Sequence, residues 1–187
     1  MMKTESIPFP DLETERLRLR RLTSADAPGL YALYASEPVT RFTLLETLTT
    51  PEQAHEELAR QDELYARGAG LRWGIFSQEM DGLLGTCGFH HWNHRDQRAE
   101  ISYDLATQFW GQGIMREALE VILRFGFLDL GLHRVEALVD PQDLRSQNLL
   151  YGLDFMFEGV LHGHTLIKGA FHDDMVFALL APPNAPA

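Results

Sequence analysis

Arg16-Leu17-Arg18-Leu19-Arg20 alternates charged and apolar residues at period two, the pattern of a half-buried strand. Thr23, Asp26 and Pro28 then mark a helix start, with Leu30, Leu33 and Tyr34 running along it. A second start lies at Thr50-Pro51, where Gln53 three residues after the threonine completes a capping box. That helix carries Ala54, Leu58 and Tyr65 inward and stops near Gly68. From residue 71 the period becomes that of strands. Leu71–Ser77, Leu83–Trp92 and Ala99–Leu105 qualify, with Asp81-Gly82 as a hairpin turn between the first two.

Gly111–Leu130 carries the strongest helical stripe, Met115, Ala118, Leu119, Ile122 and Phe125, with Gly131 as its stop. His133–Val139 reads as a strand, Gln142–Leu153 as a short helix and Phe155–Leu161 as another strand. Gly169–Leu180 closes the pattern as the returning arm of a hairpin. The order β-α-α-β-β-β-α-β-α-β-β predicts an α/β chain, a mixed sheet with helices on its faces. Residues 1–14 read as a loose arm, 15–181 as one domain and the proline-rich 182–187 as a tail.

The 187 residues suit one domain, and 45% apolar content is enough for a core of useful size. A formal charge of −11 argues against a nucleic-acid partner, which usually meets a basic face. It favours a cationic one, such as a free amine, a polyamine or a basic protein tail, or else serves solubility alone. Cys87 is the single cysteine, so no disulfide framework points to an oxidising compartment. The opening MMKTESIPFPDLETE lacks the apolar run of a signal peptide. No window approaches the roughly 18–20 apolar residues of a membrane span. The expectation is a soluble, cytoplasmic protein with no membrane partner.

The chemistry concentrates at Gln108-Phe109-Trp110-Gly111-Gln112-Gly113, a glycine turn between a strand and the strongest helix. A helix N-terminus offers unpaired N–H groups and partial positive charge, and glycines let a phosphate approach the chain. A nucleotide-triphosphate loop would need Gly-Lys-Ser/Thr, but Ile114-Met115 follows Gly113. A dinucleotide fold would need a third glycine, which is absent.

Gln108-x-x-Gly111-x-Gly113, preceded by Ala99-Glu100-Ile101-Ser102-Tyr103, resembles the acyl-CoA motif of the GNAT acetyltransferase superfamily. Val139-Asp140-Pro141-x-x-x-x-Ser146, Phe155-x-x-Glu158-Gly159 and His172-Asp173-Asp174-x-x-Phe177-x-Leu179 look like its RimJ/RimL branch, which acetylates N-terminal α-amines of ribosomal proteins. Thr14-Glu15-Arg16-Leu17-x-Leu19 fits the same branch, so the resemblance covers roughly residues 12–180. It implies a GNAT fold, a mostly antiparallel sheet with splayed parallel strands, and acetyl-CoA as co-substrate. It also implies possible pairing into a homodimer. Carried over, the pyrophosphate would rest on N–H groups of Gln112, Gly113, Ile114, Met115 and Arg116, with Gln108 and Gly111 shaping the turn. Backbone at Tyr103, Asp104 and Leu105 would pair with the pantetheine amides, and an N–H near Leu105 could polarise the thioester carbonyl.

Acetylation needs a neutral amine, so a proton acceptor is required and the leaving thiolate needs support. Glu100 stands where many family members hold a carboxylate; alternatively it faces solvent or pairs with Arg98 or Arg134. Ser146 matches a serine that positions water or amine near the thioester in ribosomal-protein acetylases; alternatively it is a helix-surface hydroxyl bonding its own backbone. Cys87, mid-strand, reads as a packed thiol rather than a nucleophile.

The chain departs from the family at three positions. Asp143 replaces a cofactor-binding Asn, Asp154 replaces a turn Gly, and Leu150 takes the slot of a general-acid Tyr, with Tyr151 rotated away by about 100°. These departures sustain the alternative of a non-catalytic acyl-CoA-binding protein. His90-His91-Trp92-Asn93-His94 invites a metal, but His90 and His91 should face opposite sides of a strand. With no cysteine or carboxylate to complete a zinc set, no metal is expected. Because that strand end borders the acceptor groove in relatives, the resemblance implies contact of His91 and Trp92 with the acceptor, a protein N-terminus or a small amine; alternatively Trp92 is a packing residue.

Overall fold

The computed structural model describes residues 9–182. Among these, eight strands form one mixed sheet: β1 (Leu12–Glu13), β2 (Leu17–Arg21), β3 (Leu71–Ser77), β4 (Leu83–Asn93), β5 (Arg98–Leu105), β6 (Arg134–Val139), β7 (Met156–Ile167) and β8 (Ala170–Leu180). Their spatial order is β1-β2-β3-β4-β5-β6-β8-β7. Every neighbouring pair is antiparallel except β5 and β6. Parallel neighbours need a crossover, and α4 (Ile114–Leu128) provides it. The other helices are α1 (Ala27–Tyr34), α2 (Glu37–Thr40), α3 (Pro51–Ala66) and α5 (Leu144–Gly152).

Alternation along the strands sends apolar residues to two cores. Trp73, Cys87, Phe89 and Ile101 pack with the α4 stripe of Ile114, Met115, Ala118, Leu119 and Ile122. Leu22 and Phe76 pack with Leu30, Leu33 and Tyr34 of α1 and Leu58 of α3. The expected capping box forms, with Gln53 Oε1 accepting from the Thr50 N–H at 3.0 Å. No helix among the described residues is long and apolar enough to cross a membrane.

Several boundaries differ from the pattern reading, each for a local reason. The central helix begins at Ile114 rather than Gly111, because Gly111 and Gly113 take left-handed φ values of 74° and 75°. Part of the expected loose arm is anchored: Leu12 and Glu13 pair with Leu19 and Arg18. Trp73 Nε1 also donates to Pro10 O at 2.7 Å. Residues 1–8 and 183–187 lie outside the described residues. β7 runs on to Ile167, beyond the expected Leu161, and a register shift with Gly163 at φ 55° masks its alternation. Asp154 takes the left-handed turn (φ 62°) where glycine was the expected residue.

Candidate active site

β5 and β6 pair only at Arg98–Arg134, Ala99–Val135 and Glu100–Glu136. Beyond Glu100 the strands part, while β4 still follows β5 to Leu105 and β8 follows β6 to Val139. The result is a V-shaped opening whose walls are backbone without ladder partners on their inner sides. Such groups need a partner from somewhere. Leu105 O finds one in Trp110 Nε1 at 2.7 Å.

The glycine turn stands at the end of this opening. A short 3-10 turn, Thr107–Phe109, leads through Trp110 to Gly113, which caps α4 without a side chain. The first N–H groups of α4 therefore have no side-chain cap, and a Cβ built on Gly111 would meet nothing within 4 Å. The glycines are required by their left-handed backbone rather than by crowding. Arg16 is an unforeseen part of the turn. Its guanidinium donates to Gln112 O at 3.2 Å and to Glu117 at 2.6 Å. Burial alone would raise the Glu117 carboxyl, but hydrogen bonds from Thr14 and Arg16 outweigh it and hold it below the ordinary range. Arg116, by contrast, is exposed and pairs with Glu120 at 3.0 Å.

On the α4 and α5 side of the opening, Asp143 caps α5. Its carboxylate accepts from Ser146 N at 3.1 Å and from Ser146 Oγ at 2.7 Å. The Ser146 hydroxyl thus bonds the Asp143 side chain rather than its own backbone, and the Asp143 side chain is engaged by its own helix. The Tyr103 hydroxyl lies beside Ser146 and is the one buried side-chain polar atom among the described residues without a well-formed hydrogen bond. Burial pushes this phenol up, Ser146 opposes the rise and Asp143 adds to it. Arg145 stacks its guanidinium 3.6 Å from the Trp110 ring centroid, tying α5 to the turn. Leu150 is fully buried, and Tyr151 faces outward with its ring edge-on to Phe177 at 5.2 Å.

Alternation places Glu100, Ser102 and Asp104 on the other face of β5. Glu100 is mostly buried and meets His91 Nδ1 at 2.8 Å and His90 Nδ1 at 3.9 Å. It does not use Arg98 or Arg134. Arg98 binds Glu136 at 3.0 Å, and Arg134 binds Glu136 at 2.7 Å and Glu158 at 2.5 Å.

The expectation that His90 and His91 face apart is corrected here. A bulge between His90 and Asn93, with His91 at φ 48°, turns both imidazoles toward Glu100. Their donor atoms and a Glu100 oxygen lie within 4.8 Å of one another, so the carboxylate missing from the histidine run comes from the neighbouring strand. Burial, then His91 and Arg72, push His90 down to about 3, so its ring is neutral. Trp92 sits elsewhere, stacked on His94 at 4.1 Å. His162 and His164, which alternate as two ligands might, bind separate partners, Asp173 and Asp174, each at 2.8 Å.

Sequence reasoning missed the centre of this face. Arg72 forms an ion pair with Asp104, their side chains 16% and 9% exposed. The guanidinium also donates to Thr86 at 3.0 Å, Ser102 at 2.8 Å and the Tyr34 hydroxyl at 3.2 Å. Tyr34 in turn donates to Asp104 at 3.0 Å. Burial pushes the Asp104 carboxyl up, and Arg72 and Tyr34 oppose it. The Asp104 carboxylate is thus engaged away from the opening, which its backbone alone borders. The available signal was one arginine within Leu71-Arg72-Trp73-Gly74-Ile75, and its meaning required the strand register. Cys87 is fully buried, and burial pushes its thiol up to about 12, which suits packing and not nucleophilic attack. A cavity of about 420 Å³ lined by Arg18, Arg20, Asp26, Phe76 and Met80 shares no residue with the opening.

Comparison with known proteins addresses the family and the fold. The model of the acetyltransferase (GNAT) domain family matches residues 16–156. The chain is 36% identical over 174 residues to the "Uncharacterized N-acetyltransferase YoaA" of Bacillus subtilis (strain 168), covering 93% of this chain and 98% of that protein. It is 27% identical over 190 residues to the [ribosomal protein uS5]-alanine N-acetyltransferase of Escherichia coli (strain K12), covering 97% and 96%. The fold matches that of the ribosomal-protein-S5-alanine acetyltransferase of Vibrio fischeri with a TM-score of 0.80 at 22% identity, covering 95% of this chain and all of that one.

Proposed function

The chain belongs to the GNAT acetyltransferase family, and on that premise we propose that it transfers acetyl from acetyl-CoA to a primary amine. The acceptor is an N-terminal α-amine of a protein, such as a ribosomal protein, or a small amine. The observation that carries the reading is the parting of β5 from β6 beyond Glu100, with an uncapped helix N-terminus and two left-handed glycines at its end. Such an opening suits an extended chain bearing amides and ending in a pyrophosphate.

In this reading the N–H groups of Gln112 to Arg116 receive the pyrophosphate. The inner edge of β5, which has no ladder partner through Tyr103, Asp104 and Leu105, receives the pantetheine arm. The orphaned Tyr103 hydroxyl supports the fit, since a buried donor of this kind awaits an acceptor. Glu100 accepts the proton of the amine, directly or through water, and His91 beside it borders the acceptor. An α-amine has a pKa near ~8, so much of it is protonated at pH 7 and an acceptor on this face is needed. Ser146 and Asp143 stand on the opposite face, toward the leaving sulfur. A homodimer would use the β7–β8 edge, where β7 ends the sheet and Met156 and Phe171 are 73% and 72% exposed.

The test is calorimetric titration with acetyl-CoA, followed by a thiol-release assay across amines and basic peptides. Saturable binding with release for one amine class supports the enzyme and selects its acceptor. Binding without release from any acceptor favours an acyl-CoA-binding protein. Absence of binding refutes the reading of the glycine turn.

A further inference from the structure

Tyr103 lies three residues beyond the last ladder pair of β5 with β6, at Glu100, so it belongs to the unpaired part of the opening. Its hydroxyl is buried and has no well-formed hydrogen bond, an arrangement that folded proteins largely avoid. Ser146 beside it gives its own proton to Asp143 at 2.7 Å, so the Ser146 proton is not available to Tyr103. Ser146 can therefore meet the phenol only through its oxygen lone pairs, and no described residue, Ser146 included, stands in good hydrogen-bond geometry to it. Side chains alternate along β5, so Glu100 and Tyr103 leave the strand on opposite faces.

We propose that Tyr103 donates a hydrogen bond to the sulfur of the thioester substrate, as a catalytic residue for departure of the thiolate. This rests on the reading of an acyl-CoA thioester in the opening. The amine lone pair forms the C–N bond on the Glu100 face, and the amine proton passes to that carboxylate. The C–S electron pair returns to sulfur on the Tyr103 face, and the thiolate takes a proton from water on release. Burial raises the phenol above its usual ~10, well over a thiol near ~8.5, so Tyr103 keeps its proton and acts as donor rather than acid. Ser146 and Asp143 hold the α5 terminus against it as positioning residues.

The test needs no acceptor substrate. Free CoA is bound to the wild-type protein, and its thiolate is followed by ultraviolet absorbance as pH is varied. Tyr103 should lower the pKa of the bound thiol by about 1 unit from that of free CoA titrated alongside. In Tyr103→Phe that displacement should vanish, with CoA affinity changed less than about threefold, because the pyrophosphate contacts lie elsewhere. Melting of the two proteins checks the fold, and the phenylalanine form should melt no lower. Equal thiol pKa values in the two proteins, or a wild-type value equal to that of free CoA, would overturn the proposal while leaving the enzyme reading intact. Failure of the wild type to bind CoA would overturn both.

Discussion

Asp104→Ala separates a structural carboxylate from a ligand-binding one. Asp104 is 9% exposed and Arg72 is 16% exposed, so the mutation leaves a guanidinium under α1 without its counter-charge. Removing one partner of a buried ion pair costs about 3–5 kcal/mol. Here Arg72 keeps hydroxyl partners at Thr86, Ser102 and Tyr34, which places the loss near the lower end, about 3 kcal/mol. For a chain of this length each kcal/mol moves the melting temperature by about 2–4 °C, so a fall of about 6–12 °C is expected. Urea unfolding and calorimetry measure both quantities. CoA affinity of the folded variant should stay within about threefold of wild type, since the carboxylate points away from the opening. The double replacement Arg72→Met with Asp104→Leu should recover much of the stability. A loss below about 1 kcal/mol would refute the buried-pair argument, and a selective loss of CoA binding would return Asp104 to the binding site.

Gly113→Val forces a β-branched residue to φ 75° at the end of the opening. CoA affinity should fall at least about tenfold as the turn rearranges, and unchanged calorimetric affinity would sink the phosphate-turn argument. Glu100→Gln should lower kcat/KM by roughly 10²–10⁴-fold with CoA binding retained; an unaltered value would remove Glu100 from the chemistry. The Asp26 carboxyl is held down at about 2, chiefly by the Arg20 hydrogen bond, against burial, with Thr23 assisting. A depressed carboxyl contributes stability above its unfolded pKa near ~3.9 and loses it as pH falls through the folded value. The melting difference between wild type and Asp26→Asn should therefore be full above about pH 4 and fade toward pH 2. A difference that stays constant across that window would show that the ion pair is not its source.

Features written in local chemistry were legible in the chain. The Thr50–Gln53 capping box, the Asp81-Gly82 hairpin, the stripe from Met115 to Ile122 and the glycines at 111 and 113 each act through neighbours a few residues away. The parting of β5 and β6 was reached through the resemblance these motifs carry, since period alone does not say where two strands stop pairing. Tertiary structure decided which side chains meet. Arg72 reaches Asp104, and Tyr34 reaches both Thr86 and Asp104, only through the register of β3, β4 and β5 and the seating of α1 over them. The bulge that turns His90 and His91 toward Glu100 reverses what strict alternation implies. The unanswered hydroxyl of Tyr103 follows from α5 packing against an opening that has lost its ladder. Local propensity selects helix, strand and turn, whereas burial across long sequence separations selects register, and in this protein register assembles the polar face and both sides of the site.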